Sequence, residues 1–276
     1  MPAQPAPWSI DQSGGQWVLS YGDGSGAFIK LYGRGPLTEK SEGDPRVLAR
    51  KVADEIRTFP VAAPKQVHGN TVIRAKMSFC LPERPEADGL FLDETGIIGS
   101  LQYADCVPVV IWGRSPCDWL ALGHSGFAGT GKNIVSAMLS LALKTWGSQS
   151  LENVTAWVGP GICGNCYGRR LDDPWTQWGK KVFPREYAIL KDKKVYFDLP
   201  GMIEKQLLDF GISEDAVFRI PFCTRCRNDL FYSYRAGDRH RNFLLARMLE
   251  PGHKLDHMRE NNCSGPGVSR NSNSGV

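Results

Sequence analysis

Three residues with metal-binding side chains stand in turns of this sequence. His68 lies in KQVHGN, Cys106 in YADCVP and His124 in LGHSGFAG. A glycine close to each histidine permits close backbone approach and unusual dihedral angles, which suits a side chain presented to a cleft. Two imidazoles and one thiolate leave one coordination position of a zinc ion open, as in catalytic zinc sites. The three residues therefore form a candidate catalytic zinc site.

The same residues allow other interpretations, because their wide separation in the chain leaves the spacing uninformative. Cys106 can be a small buried apolar residue, with the histidines bonded to loops. Cys106 as nucleophile and His124 as base would instead give a hydrolase or amidase. Asp105 is a candidate catalytic residue, either as proton carrier or as support for its neighbour, or else a strand-end turn residue. For Asp88, in EADG, we expect mainly a turn role.

Four further cysteines form two CxxC pairs, Cys163-Gly-Asn-Cys166 and Cys223-Thr-Arg-Cys226. Each pair can grip one edge of a tetrahedron, so two pairs indicate a structural zinc site with four thiolates. The interval between the pairs is longer than in a zinc ribbon, so the fold must bring the two turns together. Free thiols and a redox pair with a depressed thiol pKa are the alternatives.

Size and charge limit the classes of function. The chain has 276 residues, 42% of them hydrophobic and 22% charged, enough for a substantial core. A net charge of +4 without long basic runs argues against nucleic acid and suits a small anionic or nucleotide-like substrate. No window approaches the roughly 20 apolar residues of a membrane span, and MPAQPAPWSI lacks a basic leader. We therefore expect a cytoplasmic protein with no membrane partner; the sequence does not indicate its oligomeric state.

Strand-like and helical segments alternate along the chain, which is typical of an α/β protein. One predicted helix follows Thr130 and ends at Gly147, and another, PGMIEKQLLDFG, has Pro200 at its start and Gly211 at its end. Residues 47–57 form a weaker third helix. The strand-like segments are GAFIKLYG, GIIGSLQYAD, VPVVIWG, WLALGH, VTAWVGPGI and AVFRIPF.

The composition also suggests where the globular part begins and ends. Residues 1–15 are rich in Pro and Gly and are expected to be loose, and residues 261–276 form a polar, disordered tail. Between them no repeat and no linker divides the chain, so residues 16–260 are predicted to form a single catalytic domain.

Five motifs in fixed order, between Gly22 and Arg247, resemble the YfiH-like family: KQVHGN, EADGLFLDETGIIGSLQYADCVPVVIWG, LALGHSGFAG, WVGPGICGNCYG and CTRCRNDLFYSYR. Members of this family have been labelled polyphenol oxidases or laccases and are understood as zinc-dependent purine nucleoside phosphorylases with adenosine deaminase and methylthioadenosine phosphorylase activity. The resemblance implies zinc ligands at His68, Cys106 and His124, with a nucleoside and phosphate as partners. Family members have also been linked to the editing of peptidoglycan precursors, which the hydrolase or amidase alternative would suit. It also implies a layered α/β/β/α sandwich with mixed β-sheets.

The sequence departs from the family at two motifs. The family's HAGWRG reads HSGFAG here, so Phe127 stands for its Trp and Ala128 for its Arg. A positive charge near the metal is lost, which puts phosphorolysis in question. The family's SYRRDG-TGR segment reads SYRAGDRHR, which keeps Arg235, while Arg239 or Arg241 either replaces what is missing or lies on a solvated surface.

The segment from Gly126 to Asn133 nearly spells a P-loop, but Asn133 replaces the Ser or Thr that would bind magnesium. We therefore do not predict an NTPase. The N-terminus of the following helix can still receive a phosphate, with Lys132 close to it. Lys132, Arg235 and Gln66 are the candidate residues for binding substrate or phosphate.

A copper oxidase finds no support in the sequence, despite the older family label. Multicopper centres require many imidazoles, commonly as closely spaced pairs, whereas the chain has five histidines and no such pair in its motifs. A further interpretation is a non-catalytic relative that binds zinc but has lost its substrate contacts, because Ala128 and residues 235–241 differ from the family.

Overall fold

The computed structural model describes residues 8–22, 26–52 and 59–249, and its β-strands form two large sheets and one small one. The first sheet has the strand order β1-β2-β3-β15-β7-β4. Its neighbouring strands are antiparallel except for β4 and β7, which are parallel. Its strands are β1 (Trp8–Ser13), β2 (Gln16–Tyr21), β3 (Ala27–Tyr32), β4 (Val61–Ala62), β7 (Ile98–Tyr103) and β15 (Asn242–Met248).

The second large sheet has the order β14-β10-β8-β9-β6-β5. Its central strands β10, β8, β9 and β6 are antiparallel, and the two outer strands are each parallel to their neighbour. These strands are β5 (Val72–Arg74), β6 (Gly89–Leu92), β8 (Val107–Gly113), β9 (Trp119–Ser125), β10 (Val154–Val158) and β14 (Val217–Arg219). A small antiparallel sheet contains β11 (Gly168–Arg170), β13 (Lys194–Phe197) and β12 (Ala188–Lys191).

The two large sheets pack face to face between layers of helices, as the alternation of side chains shows. In β9, Leu120 and Leu122 enter the core between the sheets, whereas Trp119 and Ala121 enter the core under helices. In β15, Leu244 likewise faces the second sheet while its neighbours pack against a helix on the outer face of the first. The predicted α/β/β/α layering with mixed sheets is therefore confirmed.

The helices are α1 (Pro36–Glu39), α2 (Pro45–Lys51), α3 (Phe127–Gly131), α4 (Ile134–Trp146), α5 (Pro174–Val182) and α6 (Leu199–Asp209). The helix predicted after Thr130 begins only at Ile134, because Asn133 caps it through a side-chain bond from the N–H of Ser136. It ends as predicted at Gly147, whose φ is +70°.

The other two helix predictions need small corrections to their bounds. The helix predicted from Pro200 begins one residue earlier, because the side chain of Asp198 caps it by accepting from the N–H of Gly201. The helix predicted over residues 47–57 begins at Pro45, with Asp44 as its cap. Its predicted residues 53–57 lie outside the described part of the chain. Among the described residues, every helix is too short or too polar to pass through a lipid bilayer.

The expectation of a loose segment over residues 1–15 is wrong for residues 8–13, which form β1. This strand pairs along its length with β2, and Trp8 and Ile10 pack against the core between the sheets. Alternation of apolar and polar side chains in WSIDQS supplies one apolar face for that contact. Residues 1–7 and the predicted tail lie outside the described residues.

Candidate active site and second cysteine cluster

The register of the β8–β9 hairpin brings two of the three predicted ligands together. Cys106 immediately precedes β8, His124 is the penultimate residue of β9, and Pro108 pairs with His124. Both ligands therefore lie at the same end of the second sheet. The loop between β4 and β5 brings His68 to the same place, and the ligand atoms of the three residues all lie within 4.8 Å of one another.

A buried carboxylate holds both histidines in position. Asp88 accepts hydrogen bonds from the backbone N–H groups of Val67 at 3.3 Å, His68 at 2.9 Å and Gly69 at 2.6 Å. It also contacts Nδ1 of His124 at 2.9 Å, which leaves Nε2 as the nitrogen available to a metal. These bonds hold His68 at a φ of +59°, an uncommon conformation for a residue other than glycine. Asp88 thus has the expected turn role and also orients a ligand.

The thiol and the buried imidazole stabilise each other's charged forms. Burial raises the pKa of Cys106, but the charge of His124 and hydrogen bonds with both histidines outweigh it and lower this pKa to about 6. Burial lowers the pKa of His124, but the charge of Cys106 and the hydrogen bond with Asp88 raise it to about 9. The site therefore holds a thiolate near neutral pH, which is the form of cysteine that binds metals.

A network around Asp105 fixes the turn that carries Cys106. The carboxylate of Asp105 accepts hydrogen bonds from Thr224 Oγ1 at 2.8 Å, Ser233 Oγ at 2.6 Å and the N–H of Arg235 at 2.7 Å. Its backbone oxygen accepts from the N–H of Ile162 at 2.9 Å. Because these donors occupy a carboxylate that is only 5% exposed, we infer a positioning role for Asp105 rather than proton transfer.

The ligands open onto a cavity of about 840 Å³, a size suited to a small-molecule ligand. Aromatic side chains line it: Phe127, Tyr167, Trp175 and Tyr234. Trp175 and Tyr234 stand at its exposed rim, since they are 52% and 67% exposed. Their flat faces could stack on a heterocyclic ring.

Cationic side chains line the same cavity: Lys132, Arg169, Arg235 and Arg241. The guanidinium of Arg235 lies 4.9 Å from the centre of the Tyr167 ring. The sequence singled out Lys132 and Arg235, and it left open whether Arg239 or Arg241 contributes; Arg241 is the one that lines the cavity. An anionic group can thus enter beside the metal-binding residues.

A family model described as multi-copper polyphenol oxidoreductase laccase matches residues 44–248, which include the three ligands and the residues that line the cavity. The chain belongs to this family. It is the YfiH-like family that the sequence motifs resemble.

Similar proteins carry names of nucleoside enzymes. A purine nucleoside phosphorylase from Rickettsia conorii is 29% identical over 153 residues, which cover 54% of this chain and 60% of that protein. An adenosine deaminase, RL5, from an unknown prokaryotic organism is 26% identical over 152 residues, covering 54% and 56%. The matches to the first three such relatives thus span 55–60% of their lengths. The crystal structure of YlmD from Geobacillus stearothermophilus has the same fold, with a TM-score of 0.73 at 24% identity over 89% of this chain and 100% of that one.

One cation of this YfiH-like site escaped the sequence analysis. Arg169 lies in β11, and its guanidinium carbon is 4.7 Å from the centre of the Phe127 ring. Phe127 immediately precedes Ala128 in the chain. Arg169 lines the cavity and pairs with Asp173. A positive charge therefore reaches the neighbourhood of residue 128 from a different element. No motif contains Arg169; its only sequence signal is its position two residues after the Cys-Tyr pair of the fourth motif.

The side chain of Gln66 lines the cavity, with its polar atoms turned to the backbone. Its Nε2 donates to the backbone oxygen of Gln102 at 2.8 Å, and its Oε1 accepts from the N–H of the same residue at 2.8 Å. These two bonds fasten the His68 loop to β7. Gln66 therefore forms part of the cavity wall, and its side-chain amide is already hydrogen-bonded to the backbone.

The P-loop-like segment of the YfiH-like chain folds into the short helix α3 instead of an open cradle. Thr130 strengthens this helix by donating from Oγ1 to the backbone oxygen of Gly126 at 2.8 Å. At the next helix, the side chain of Asn133 already accepts the N–H of Ser136. Lys132, which precedes this helix, contributes its charge to the cavity.

The structure also brings the two CxxC pairs together. Their sulfur atoms all lie within 4.8 Å of one another, so they form a second group that could hold a metal ion. We call this group, which consists of Cys163, Cys166, Cys223 and Cys226, the four-cysteine cluster.

Proposed function

We propose that this YfiH-like protein is a zinc-dependent enzyme that acts on purine nucleosides, by phosphorolysis of adenosine- or inosine-type nucleosides, by deamination of adenosine, or by both. The observation that carries the proposal is the convergence of His68, Cys106 and His124 at a cavity lined by aromatic and cationic side chains. Relatives named purine nucleoside phosphorylase and adenosine deaminase support it.

The donor set fits zinc. Catalytic zinc sites combine three protein ligands, here two imidazoles and a thiolate, with one open position. Blue-copper sites use the same donors with a weak axial ligand, most often methionine, and no methionine among the described residues lines this cavity. The donor groups found among the described residues are this one and the four-cysteine cluster, and neither resembles the imidazole-rich cluster of a multicopper oxidase. Bound zinc would supply Lewis acidity beside the substrate and activate water.

The protein side chains have separate roles around that ion. Asp88 accepts a hydrogen bond from Nδ1–H of His124 and so presents Nε2 to the metal. Asp105 and its donors hold the backbone next to Cys106. We propose that Tyr167, Trp175 and Tyr234 bind the purine ring by stacking, with Gln66 as part of the wall.

Phosphorolysis would use the cations of the cavity. In this reaction a phosphate oxygen forms a bond to the ribose C1′ while the bond from C1′ to the purine nitrogen breaks and the purine leaves with a proton. Lys132, Arg169 and Arg235 would hold the phosphate and stabilise its charge during the transfer. In this proposal, Arg169 compensates for the arginine that the family carries at the position of Ala128.

Deamination makes different demands on the same cavity. The oxygen of water forms a bond to the purine carbon that carries the amino group, and ammonia leaves, so no phosphate takes part. The aromatic side chains and the metal ligands would serve both reactions, whereas the cations would serve phosphorolysis. Substitution of an arginine should therefore separate the two activities.

The full chain, loaded with zinc, should be incubated with adenosine in the presence and absence of phosphate, while inosine, adenine and ribose 1-phosphate are followed. We expect inosine in either condition, or adenine and ribose 1-phosphate only with phosphate. Each of the variants His68→Ala, Cys106→Ser and His124→Ala should abolish the products. Two matched controls have side chains outside the cavity lining: Cys80→Ser for a thiol and His240→Ala for an imidazole.

Two results would count against the proposal. Absence of turnover of adenosine, inosine and methylthioadenosine, despite one zinc per chain held by His68, Cys106 and His124, would refute it and favour a non-catalytic zinc-binding relative. A protein that binds copper in preference to zinc at these residues and oxidises phenols would refute it in favour of the older family label.

The paired charges of Cys106 and His124 favour one alternative, a hydrolase or amidase with Cys106 as nucleophile. The thiolate would attack a carbonyl carbon, and the His124 imidazolium would protonate the leaving amine. This mechanism predicts activity without metal and a covalent acyl-enzyme at Cys106 visible by mass spectrometry. Loss of all activity on metal removal, with recovery on return of zinc, would reject it.

A further inference from the structure

The four-cysteine cluster has no role in the proposed nucleoside chemistry. The cysteines do not line the cavity, although Tyr167, the residue after Cys166, does. Three of the side chains are partly buried and Cys226 is exposed, so the cluster lies at the surface beside the candidate active site. An arrangement of four thiols that is built but not used by the reaction needs another explanation.

The topology of the second sheet explains how two distant turns meet. Strands β10 and β14 are parallel neighbours, with Ala156 paired to Val217, so the chain leaves both strands at the same end of the sheet. Beyond them the backbone bridges Gly161 to Cys223, and the N–H of Thr224 donates to the oxygen of Gly161 at 3.2 Å. The two CxxC turns are thus held in register by the backbone as well as by the sulfur atoms.

A backbone N–H group points at a sulfur atom across the cluster. The N–H of Cys163 donates to the sulfur of Cys223 at 3.3 Å, while the N–H of Cys166 donates to the backbone oxygen of Cys163 at 2.9 Å and closes the first turn. A donor aimed at a sulfur atom stabilises its thiolate, the form that a metal requires.

We infer that the four-cysteine cluster binds a structural zinc ion, in a closed tetrahedral site separate from the catalytic one. A Zn–S distance of about 2.3 Å places the sulfur atoms of a tetrahedral site about 3.8 Å apart. The sulfur atoms here lie within 4.8 Å of one another, and those of Cys166 and Cys226 are 3.5 Å apart. On binding, the four thiols release their protons to solvent, and each sulfur donates an electron pair to zinc.

The mutual proximity of all four sulfur atoms favours zinc over disulfides. Two disulfides would need only pairwise contacts, with sulfur atoms about 2.05 Å apart in each pair. In the cluster, every sulfur is close to the other three, and Cys166 and Cys226 are at a non-bonded distance. Four ligands from the protein also leave no open position for a substrate, which is the mark of a structural zinc site.

The position of this zinc connects it with the candidate active site through backbone neighbours. Ile162, next to Cys163, donates its N–H to the backbone oxygen of Asp105. Thr224, next to Cys223, donates its hydroxyl to the carboxylate of the same residue. A zinc ion that holds the two turns together would therefore fix two of the four donors to Asp105, the residue before Cys106.

The test is a zinc count on the full chain, purified under reducing conditions with a tag that contains no histidine. We expect two zinc ions per chain in the wild type, and one in the double variant Cys166→Ser/Cys226→Ser. The double variant His68→Ala/His124→Ala should also hold one. X-ray absorption of that remaining zinc should give four sulfur neighbours at about 2.3 Å and no nitrogen neighbour. Cys80→Ser, a cysteine outside both groups, should keep both ions.

Several outcomes would overturn the inference. A wild type with a single zinc that persists in Cys166→Ser/Cys226→Ser would do so, as would nitrogen neighbours in the absorption spectrum of the His68→Ala/His124→Ala variant. Mass spectrometry that finds the cluster oxidised to disulfides after reducing purification would support the redox alternative instead. If the cysteine variant fails to fold, the absorption spectrum of the histidine variant still decides. None of these readouts needs nucleoside turnover, so they are independent of the proposed function.

Discussion

The substitution Asp88→Asn should weaken zinc binding although residue 88 does not contact the metal. An asparagine has one oxygen and one NH₂ group where the aspartate has two oxygens. The four donors to Asp88 are divided equally between its oxygens: Oδ1 receives His68 N–H and His124 Nδ1, and Oδ2 receives Val67 N–H and Gly69 N–H. Either orientation of the amide therefore sets its NH₂ group against two donors.

The size of the effect follows from these lost bonds. Hydrogen bonds to a charged group contribute about 1.5–3 kcal/mol each, so the loss of two should lower the free energy of unfolding by about 3–6 kcal/mol. We expect this decrease to be near 3 kcal/mol, because the loop at Val67 and His68 is exposed and water can replace the carboxylate there. If the NH₂ group faces His124, it donates to Nδ1, so the hydrogen of the neutral ring must be on Nε2. A protonated Nε2 cannot bind a metal. The zinc affinity should therefore fall about 10–100-fold, the usual effect of losing a partner of a ligand histidine.

The assays are competition with a chromogenic zinc chelator and denaturation by urea. Asp93→Asn is the matched control, because Asp93 has a buried carboxylate that pairs with Arg74, at the opposite end of β6 from Asp88 and outside the cavity lining. It should lower stability without changing zinc affinity. An Asp88→Asn protein that binds zinc as tightly as the wild type would show that the carboxylate does not orient His124, and the reasoning would be wrong.

Three other substitutions test the site and its surroundings. Arg169→Gln should raise the phosphate KM of phosphorolysis about 10–100-fold, because a charge-assisted contact is lost, and should leave deamination unchanged. Arg170→Gln, at the exposed neighbouring position, should change neither activity. Equal effects of the two substitutions would disprove a specific role for Arg169. Gly126→Ala places a Cβ 2.9 Å from the sulfur of Cys106, so it should displace that ligand and lower the zinc affinity at least about tenfold. An unchanged zinc affinity would mean that the turn can move to accommodate the methyl group. Burial raises the pKa of Asp238, but hydrogen bonds from three groups lower it overall, so its stabilising effect is complete above the ordinary pKa of Asp and is lost as pH falls through the lowered value. Asp238→Asn should therefore reduce the pH dependence of urea denaturation below about pH 4, and an unchanged pH profile would contradict this.

The layers of the fold were expected from the family resemblance. The strands β9 and β15 are buried along their whole length, so their sequences do not show which side chains face which core. Residue type and local sequence did single out His68, Cys106 and His124 as candidate ligands, since each stands in a turn. These signals are local, so they can be read along the chain. The two CxxC pairs are local signals as well, although their meeting depends on the parallel pairing of β10 with β14.

Features that depend on contacts between residues distant in the sequence were not predicted from local sequence. Asp88 is 36 residues from His124, so EADG alone shows only a turn. Arg169 reaches the cavity from β11, a strand of three residues too short to give a periodic pattern. In β1, the prolines before Trp8 outweighed the alternation of WSIDQS, which matters only because β2 is there to pair with it. Composition and periodicity therefore could not predict these three features, because they depend on long-range packing.

The pairing of Pro108 with His124 also determines where this chain tolerates a change of length. An inserted residue within β8 or β9 would shift the register by one and turn His124 away from Tyr103, whose ring centre is 5.6 Å from its own. The connection over residues 114–118 lies outside the paired strands, so it can grow or shrink without moving either ligand. Natural variation in length should therefore be concentrated in that connection, whereas β8 and β9 should keep constant lengths because their pairing sets the separation of Cys106 and His124.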